Sequence, residues 1–384
     1  MASSVTQTRT HAGQQPEWDD PVEAERVRGI LADRPPLVRA QDVRLLGDQL
    51  ALVARGEAHV IQAGDCAENP DECTADHVSR KSALLHLLGD TLSAETGRPV
   101  VHVGRIAGQF AKPRSHQHES VDGVDLPVYR GHMINSPARD RYSRRHDSLR
   151  MLTAYATADA VMGHLGWRGG ARSSVWTSHE ALVLDYELPL VRDVGDGRRF
   201  LGSTHWPWVG KRTNQLDSAH VDLIADVINP VAVKVGPATT AEEITALCAR
   251  LDPRRRPGRL TFIARMGVDA VSSCLAPLVQ AVRRAGHPVI WLCDPMHGNT
   301  VVTPDGHKTR LLPTMADEIR AFGRAVTLSG GIAGGLHLEV TPDNVLECAR
   351  DLNVFDSPDI RRTTLCDPRL NPEQAVALVS TWRS

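Results

Sequence analysis

Short β-branched apolar runs recur along the chain, separated by longer stretches of helical period. The runs are His59-Val60-Ile61, Pro99 to Val103, Val231 to Val235, Leu260 to Ile263, Pro288 to Trp291 and Ala325 to Leu328. Between several of them lie His77 to Leu92, Ala241 to Arg250, Val271 to Ala285 and Met315 to Phe322, with apolar residues every three or four positions. Strands that alternate with helices build a parallel sheet, because each connection must travel back along the sheet before the next strand begins. The chain is therefore expected to be an α/β protein.

The chain has 384 residues, which at about 150 per domain suggests two or three domains, whereas a (β/α) barrel uses about 200–250 as one. Composition favours the second count. Residues 1–16 are small and polar and read as a flexible tail. Over residues 17–57, Val22, Val27, Ile30 and Leu31, then Leu45, Leu46, Leu50, Leu52 and Val53, recur at helical spacing. Pro35-Pro36 separates the two segments, so a helical extension is expected there. Residues 58–384 contain no Pro-, Gly- or Ser-rich boundary and read as one body.

Several function classes are disfavoured. A formal net charge of −2 gives no reason to expect nucleic acid or an anionic membrane as partner. No run approaches the ~18 apolar residues of a membrane span. The N-terminal residues lack the apolar core of a secretory signal, and seven scattered cysteines do not form a disulfide framework. The expected address is the cytoplasm. Phosphate loops of the P-loop and dinucleotide type are missing; Gly330 to Gly335 is glycine-rich in the wrong pattern.

The residues just beyond each run point to chemistry. The runs lead into Gly64-Asp65-Cys66, Gly104-Arg105, Lys234-Val235-Gly236-Pro237, Ala264-Arg265-Met266-Gly267, Cys293-Asp294-Pro295-Met296-His297 and Ser329-Gly330-Gly331. Five of these six exits carry a cationic or metal-capable side chain. In a (β/α)8 barrel the C-terminal strand ends build the active site. Arg105, Lys112, Arg114, Lys211, Arg212, Lys234 and Arg265 form a cationic group suited to phosphate and carboxylate. Cys66, His297, Glu339 and Asp367 are metal-capable, with a hardness that suits Mn, Fe, Co or Zn, although no local spacing joins them. His337 and Glu339, two apart in an extended segment, would share a face. Taken singly, each of these residues also reads as structural.

Longer motifs carry a specific resemblance. Gln62-Ala63-Gly64-Asp65-Cys66-Ala67-Glu68, Gly104 to Ser115 (GRIAGQFAKPRS), Thr177-Ser178-His179-Glu180-Ala181-Leu182, Lys234-Val235-Gly236-Pro237, Asp294 to Thr300 (DPMHGNT), Gly334 to Glu339 (GGLHLE) and Cys366 to Asn371 (CDPRLN) occur in this order. Together they resemble the class II (plant-type) 3-deoxy-D-arabino-heptulosonate 7-phosphate (DAHP) synthases, from about residue 20 to the C-terminus. The resemblance implies a (β/α)8 TIM barrel that condenses phosphoenolpyruvate with erythrose 4-phosphate in the first step of the shikimate route. It implies a divalent metal on Cys66, His297, Glu339 and Asp367, with Mn²⁺ or Co²⁺ ahead of Fe²⁺ or Zn²⁺. Phosphoenolpyruvate falls on Arg105, Arg212, Lys234 and Arg265 with a backbone contribution at position 211, and the aldose phosphate on the loop Lys112-Pro113-Arg114-Ser115. Cys66, Arg105, Lys234 and His297 are the expected catalytic residues, and Trp208 is expected to wall the pocket. A homo-oligomer such as a dimer, and a chorismate mutase as partner, accompany the resemblance. Cys366, beside the expected ligand Asp367, is expected to lie near Cys66, so that oxidation could pair them.

The sequence departs from the family's usual pattern at Lys211, where an acidic residue is usual, at Asn214, where a basic one is, and at His132, where an aspartate is. These changes leave three readings open: the plain synthase, the same chemistry on another aldose phosphate such as an amino-sugar phosphate, and a non-catalytic paralogue acting as a binding partner. The span from Tyr129 to Thr177 is short beside relatives that carry regulatory helices there, which predicts a feedback-insensitive enzyme serving secondary metabolism.

Overall fold

Eight parallel strands close into a barrel in this computed structural model, which describes residues 12–121, 123–168, 173–195, 197–303, 306–353 and 362–382. The chain begins with α1 (Pro21–Asp33) and α2 (Ala40–Ala54), then β1 (His59–Gly64), α3 (Ala75–Thr96), β2 (Val100–Arg105), the hairpin β3 (His118–Val121) and β4 (Val124–Pro127), and α4 (Arg150–His164). Next come β5 (Val175–Glu180), α5 (Leu184–Glu187), the hairpin β6 (Val191–Asp193) and β7 (Arg199–Leu201), β8 (Trp206–Val209), α6 (Ala219–Ala225), β9 (Val231–Val235) and α7 (Ala241–Leu251). The last part runs through β10 (Leu260–Ala264), α8 (Val268–Arg284), β11 (Ile290–Cys293), the hairpin β12 (Thr300–Val302) and β13 (Lys308–Arg310), α9 (Leu312–Leu328), β14 (Ile332–Glu339) and α10 (Pro372–Val379).

Around the barrel the strands run in the order β1, β2, β5, β8, β9, β10, β11, β14 and back to β1. Every residue of β1, β9, β10 and β11 is buried, as expected where side chains fill the barrel inside and helices cover it outside. This is the (β/α)8 architecture expected from the sequence. The helices bury one stripe each: on α8, Val271, Leu275, Leu278, Val279 and Val282 face inward. Thr240 and Glu243 start α7 with reciprocal caps at 3.2 and 2.9 Å.

One expected strand is a helix. Ala325 to Leu328 is the last turn of α9, where Val326 continues the buried stripe of Met315, Ile319 and Phe322. Gly330, at φ 72°, ends the turn. The eighth barrel strand is β14, whose Gly334 and Gly335 break the β-branched pattern. Gly335 (φ 142°) brings its backbone so close to β1 that a Cβ there would clash with the Val60 carbonyl. The expected exit at Ser329-Gly330-Gly331, the one of six without a reactive side chain, is therefore not a strand exit. β5 and β8 are barrel strands outside the six runs, because Thr177-Ser178-His179 and Pro207 dilute their apolar character.

Of the two helices before β1, α2 closes the N-terminal mouth, whereas α1 packs beside α5 and α4. A Cβ on Gly258, before β10, would clash with the backbone of Gly47 and Ala51 in α2, and one on Gly334 would meet Val53. Trp176, near the start of β5, donates to Gln49 Oε1 at 2.8 Å. Of the segment expected as a tail, residues 1–11 lie outside the described residues, and 12–16 lie at the opposite mouth. There Gln14 Oε1 accepts from Arg114 N at 2.9 Å, and Gln15 holds Leu182 O and Leu184 N at 2.8 and 2.9 Å.

Candidate active site

All eight barrel strands deliver a side chain to one cavity of about 530 Å³ at their C-terminal ends. Cys66 comes after β1, Arg105 ends β2, Glu180 ends β5, Trp208 lies in β8, Lys234 in β9, Arg265 comes after β10, His297 after β11, and Glu339 ends β14. Lys112, Arg114 and Ser115 enter from the loop after β2, Lys211 and Arg212 from the loop after β8, and Asp367 from the segment after β14. Every residue expected at the site thus lines this one cavity.

The loop after β2 owes its shape to a buried carboxylate. Glu68 accepts from the N–H groups of Ala107, Gly108 and Gln109 at 3.1, 2.9 and 2.8 Å. These bonds hold Ala107 at φ 66°, a conformation that costs a non-glycine residue about 1 kcal/mol. The same turn delivers Lys112 and Arg114. Arg212 Nη2 reaches across to Ser115 Oγ at 2.5 Å, joining the two cationic loops.

On the opposite wall three donors gather. His297, Glu339 and Asp367 place ligand atoms within 4.8 Å of one another. Asp294, fully buried, accepts from His297 Nδ1 at 2.8 Å, which leaves Nε2 facing Glu339 Oε1 at 3.1 Å. A carboxylate that fixes one imidazole nitrogen and frees the other is the usual support behind a metal-binding histidine. Cys66, the fourth expected ligand, lies outside this group of three but beside it in the chain fold: its Sγ accepts from Asp367 N at 3.3 Å. The Cys366 thiol, donating to Cys66, draws that thiol's pKa down to about 6 against the opposing effect of burial, with Lys112 helping. Burial would raise the Asp367 carboxyl, but Lys112, Arg310 and Lys308 hold it well below the usual range. A thiol, an imidazole and two carboxylates, with the thiol and both carboxyls held toward their ionised forms, fit a divalent metal of borderline hardness.

Two cations of the same space are held by carboxylates and a third by a backbone carbonyl. Arg105 Nη2 donates to Glu339 Oε1 at 3.2 Å, and its Cζ lies 5.4 Å from the Trp208 ring centroid. Lys234 Nζ donates to Asp294 Oδ2 at 3.0 Å, and Arg265 Nη2 to His297 O at 2.9 Å. Burial lowers the Lys234 pKa despite Asp294. Glu180 differs from the other acids: its Oε1 is buried without a hydrogen-bond partner, and burial raises its pKa against the pull of Lys234, Arg105 and Lys112.

The three departures from the family pattern separate spatially. Lys211 lines the cavity and donates to Thr239 Oγ1 at 3.4 Å. Asn214 is buried, with Nδ2 on Lys234 O at 2.8 Å, and His132 Nδ1 pairs with Tyr129 OH at 2.7 Å. Neither Asn214 nor His132 is among the lining residues, so Lys211 alone of the three lines the cavity.

Sequence reasoning missed Glu180 and Arg310. Glu180 sits inside one of the family motifs but ends a strand that the apolar pattern does not reveal. Arg310, fully buried, donates to Glu339 Oε2 at 2.7 Å from the β12–β13 hairpin, a connection without any strand-exit signal.

The family model described as the class-II DAHP synthetase family matches residues 3–173 and 169–381. A probable phospho-2-dehydro-3-deoxyheptonate aldolase of Pseudomonas fluorescens is 54% identical over 382 residues, covering 98% of this chain and 96% of the relative. Phospho-2-dehydro-3-deoxyheptonate aldolases of Streptomyces coelicolor and Mycolicibacterium smegmatis are 39% and 38% identical, each over 96% of this chain and 93% and 91% of their own lengths. No helix among the described residues is long and apolar enough to cross a membrane. The chain belongs to the class-II DAHP synthase family.

Proposed function

We propose that the chain condenses phosphoenolpyruvate with erythrose 4-phosphate to give DAHP and inorganic phosphate. The observation that carries this reading is the convergence, at one barrel mouth, of a Cys/His/carboxylate donor set with Arg105, Arg212, Lys234 and Arg265. Guanidinium groups bind carboxylate and phosphate in two-point fashion and fix the enol for attack. The loop from Lys112 to Ser115, bridged to Arg212, suits the phosphate of the aldose.

Cys66, His297, Glu339 and Asp367 would hold the metal, with Mn²⁺ or Co²⁺ ahead of Fe²⁺ or Zn²⁺. When bound it supplies Lewis-acid polarisation of the aldehyde oxygen. In the reaction C3 of phosphoenolpyruvate bonds to the aldehyde carbon, and the aldehyde oxygen takes a proton. Water bonds to C2 and gives up one proton, which matches the one taken by the aldehyde oxygen; the bond between C2 and the phosphate-bridging oxygen then breaks, and the second proton of the former water passes to the departing phosphate, leaving a ketone and hydrogen phosphate. Proton gain and loss balance. Glu180 is the group assigned to the water's proton, because it lines the cationic pocket and its Oε1 is not committed to any hydrogen bond. Both substrates are phosphorylated cell metabolites, which favours a cytoplasmic setting.

Feedback insensitivity and a role in secondary metabolism belong to the same reading. The alignments with the Streptomyces and Mycolicibacterium relatives run over 423 and 425 residues, longer than the whole chain, so those relatives hold segments that this one lacks.

Purified protein assayed for phosphoenolpyruvate consumption against a panel of aldose phosphates, with and without added Mn²⁺ or Co²⁺, tests the proposal. Metal-stimulated turnover with erythrose 4-phosphate is expected. Turnover confined to another aldose phosphate would move the specificity and point to Lys211. No turnover with any of them would overturn the assignment.

A further inference from the structure

Beneath Arg105 a line of buried polar side chains crosses the barrel interior. Arg105 Nη1 lies 3.1 Å from His337 Nε2, and His337 Nδ1 lies 2.6 Å from Gln62 Oε1. Gln62 Nε2 lies 2.6 Å from Ser178 Oγ, which donates to the backbone carbonyl of Trp206 at 2.8 Å. His337, Gln62 and Ser178 are fully buried and come from β14, β1 and β5. None of the three lines the cavity.

The chemistry of these groups allows a single direction of donation. A guanidinium has only donors, so His337 Nε2 must accept. An imidazole that accepts at one nitrogen carries its proton on the other, so Nδ1 donates, and the Gln62 atom facing it must be the carbonyl oxygen. The amide nitrogen is then turned to Ser178 Oγ, which accepts it and spends its own proton on Trp206 O. The chain is therefore fixed at both ends, by a side chain that cannot accept and by a carbonyl that cannot donate.

We propose that Gln62, with Ser178 behind it, sets the His337 tautomer and through it the orientation of Arg105 for phosphoenolpyruvate. These are positioning residues, remote from the reacting atoms. The remaining Arg105 contacts are consistent with this role: Nη2 is on Glu339 and the buried Nε has no hydrogen-bond partner, so the His337 bond is one of only two side-chain hydrogen bonds among the described residues that fix the guanidinium. If Gln62 no longer accepts, the His337 proton is free to move to Nε2. There it opposes an Arg105 N–H, donor against donor, and the guanidinium must shift.

The inference rests on the reading of Arg105 as a phosphoenolpyruvate contact, and the test separates the two. Gln62→Met keeps length and apolar packing but offers no acceptor to Nδ1. Gln62→Glu keeps that acceptor. For Gln62→Met, KM for phosphoenolpyruvate and its calorimetric Kd without aldose phosphate are expected to rise roughly tenfold, with kcat within about twofold and the aldose KM unchanged, the pattern of lost uniform binding. Gln62→Glu is expected to bind phosphoenolpyruvate within about threefold of the parent. An unchanged KM in Gln62→Met, or an equal rise in both variants, overturns the relay, the second result marking a packing effect only. If Gln62→Met loses its thermal transition, Ser178→Ala replaces it. There a rise of about threefold is expected, and no rise overturns the relay. A parent protein that binds no phosphoenolpyruvate would overturn the reading of Arg105 itself.

Discussion

Glu180 carries a carboxylate oxygen that no donor satisfies, in a cavity that Arg105, Lys112 and Lys234 also line. Exchange for Gln keeps the shape and removes the proton acceptor. Glu180→Gln is expected to lower kcat about a hundredfold, within the usual range for a lost general base, and to leave KM for phosphoenolpyruvate within about threefold. Steady-state kinetics decide it, and an unchanged kcat would remove Glu180 from the chemistry. The contrast between residues found and missed arises from how each is held. Arg105, Lys234, Arg265 and His297 stand on or just after apolar runs, so barrel geometry alone directs them to one mouth. Arg310 arrives by a hairpin far from any such run, and the union of Cys66 with Asp367 requires the closed barrel. Local spacing holds no trace of either; family motifs supplied Asp367.

At the scale of elements, the joint between β5 and β8 shows how a strand escapes notice and what it costs to bury. Trp167, after α4, packs on Trp176 of β5 and on His205, just before β8, with ring centroids 5.0 and 4.4 Å apart. Here polar and aromatic residues do the work of the β-branched runs seen elsewhere, so the apolar pattern is faint. α9 presents the opposite case. Its last turn is β-branched and apolar, yet its buried residues keep helical spacing, and the helix continues. His205 Nδ1 accepts from Thr177 N at 3.2 Å, and burial, aided by Arg39 and Arg168, pulls its pKa down to about 3. Burial likewise lowers His59, at the start of β1, to about 4. In the unfolded chain both protonate below about 6.5, whereas the folded protein keeps them neutral. The stability they contribute is therefore full above pH ~6.5 and falls as the pH drops toward their folded values. Urea unfolding of the parent should lose roughly 2–3 kcal/mol through His205 between pH 7 and 4.5. His205→Asn, which can still accept from Thr177, should lose correspondingly less over that interval. Equal slopes in the two proteins would assign the acid sensitivity elsewhere.

The whole molecule is a barrel closed at one mouth by α2 and open at the other to a cationic pocket, which a net charge of −2 does not betray. Alternation in the sequence was enough for the α/β class, and the motifs were enough for the barrel. Between α4 and β5, and between β4 and α4, the described residues add no further helix. Phenylalanine and tryptophan, alone or together, are therefore expected to leave the initial rate unchanged; strong inhibition by either would show that another surface senses them. Where Cys66 meets Asp367, the partners are 301 positions apart in the chain. Synthesis at about 5–20 residues per second puts about 15–60 s between their appearances. For that interval the growing polypeptide holds a thiol whose neighbours Cys366 and Asp367 do not yet exist, and a product released before residue 367 could close most of its sheet while never acquiring a complete donor set. The reactive centre is thus among the last things the ribosome makes possible.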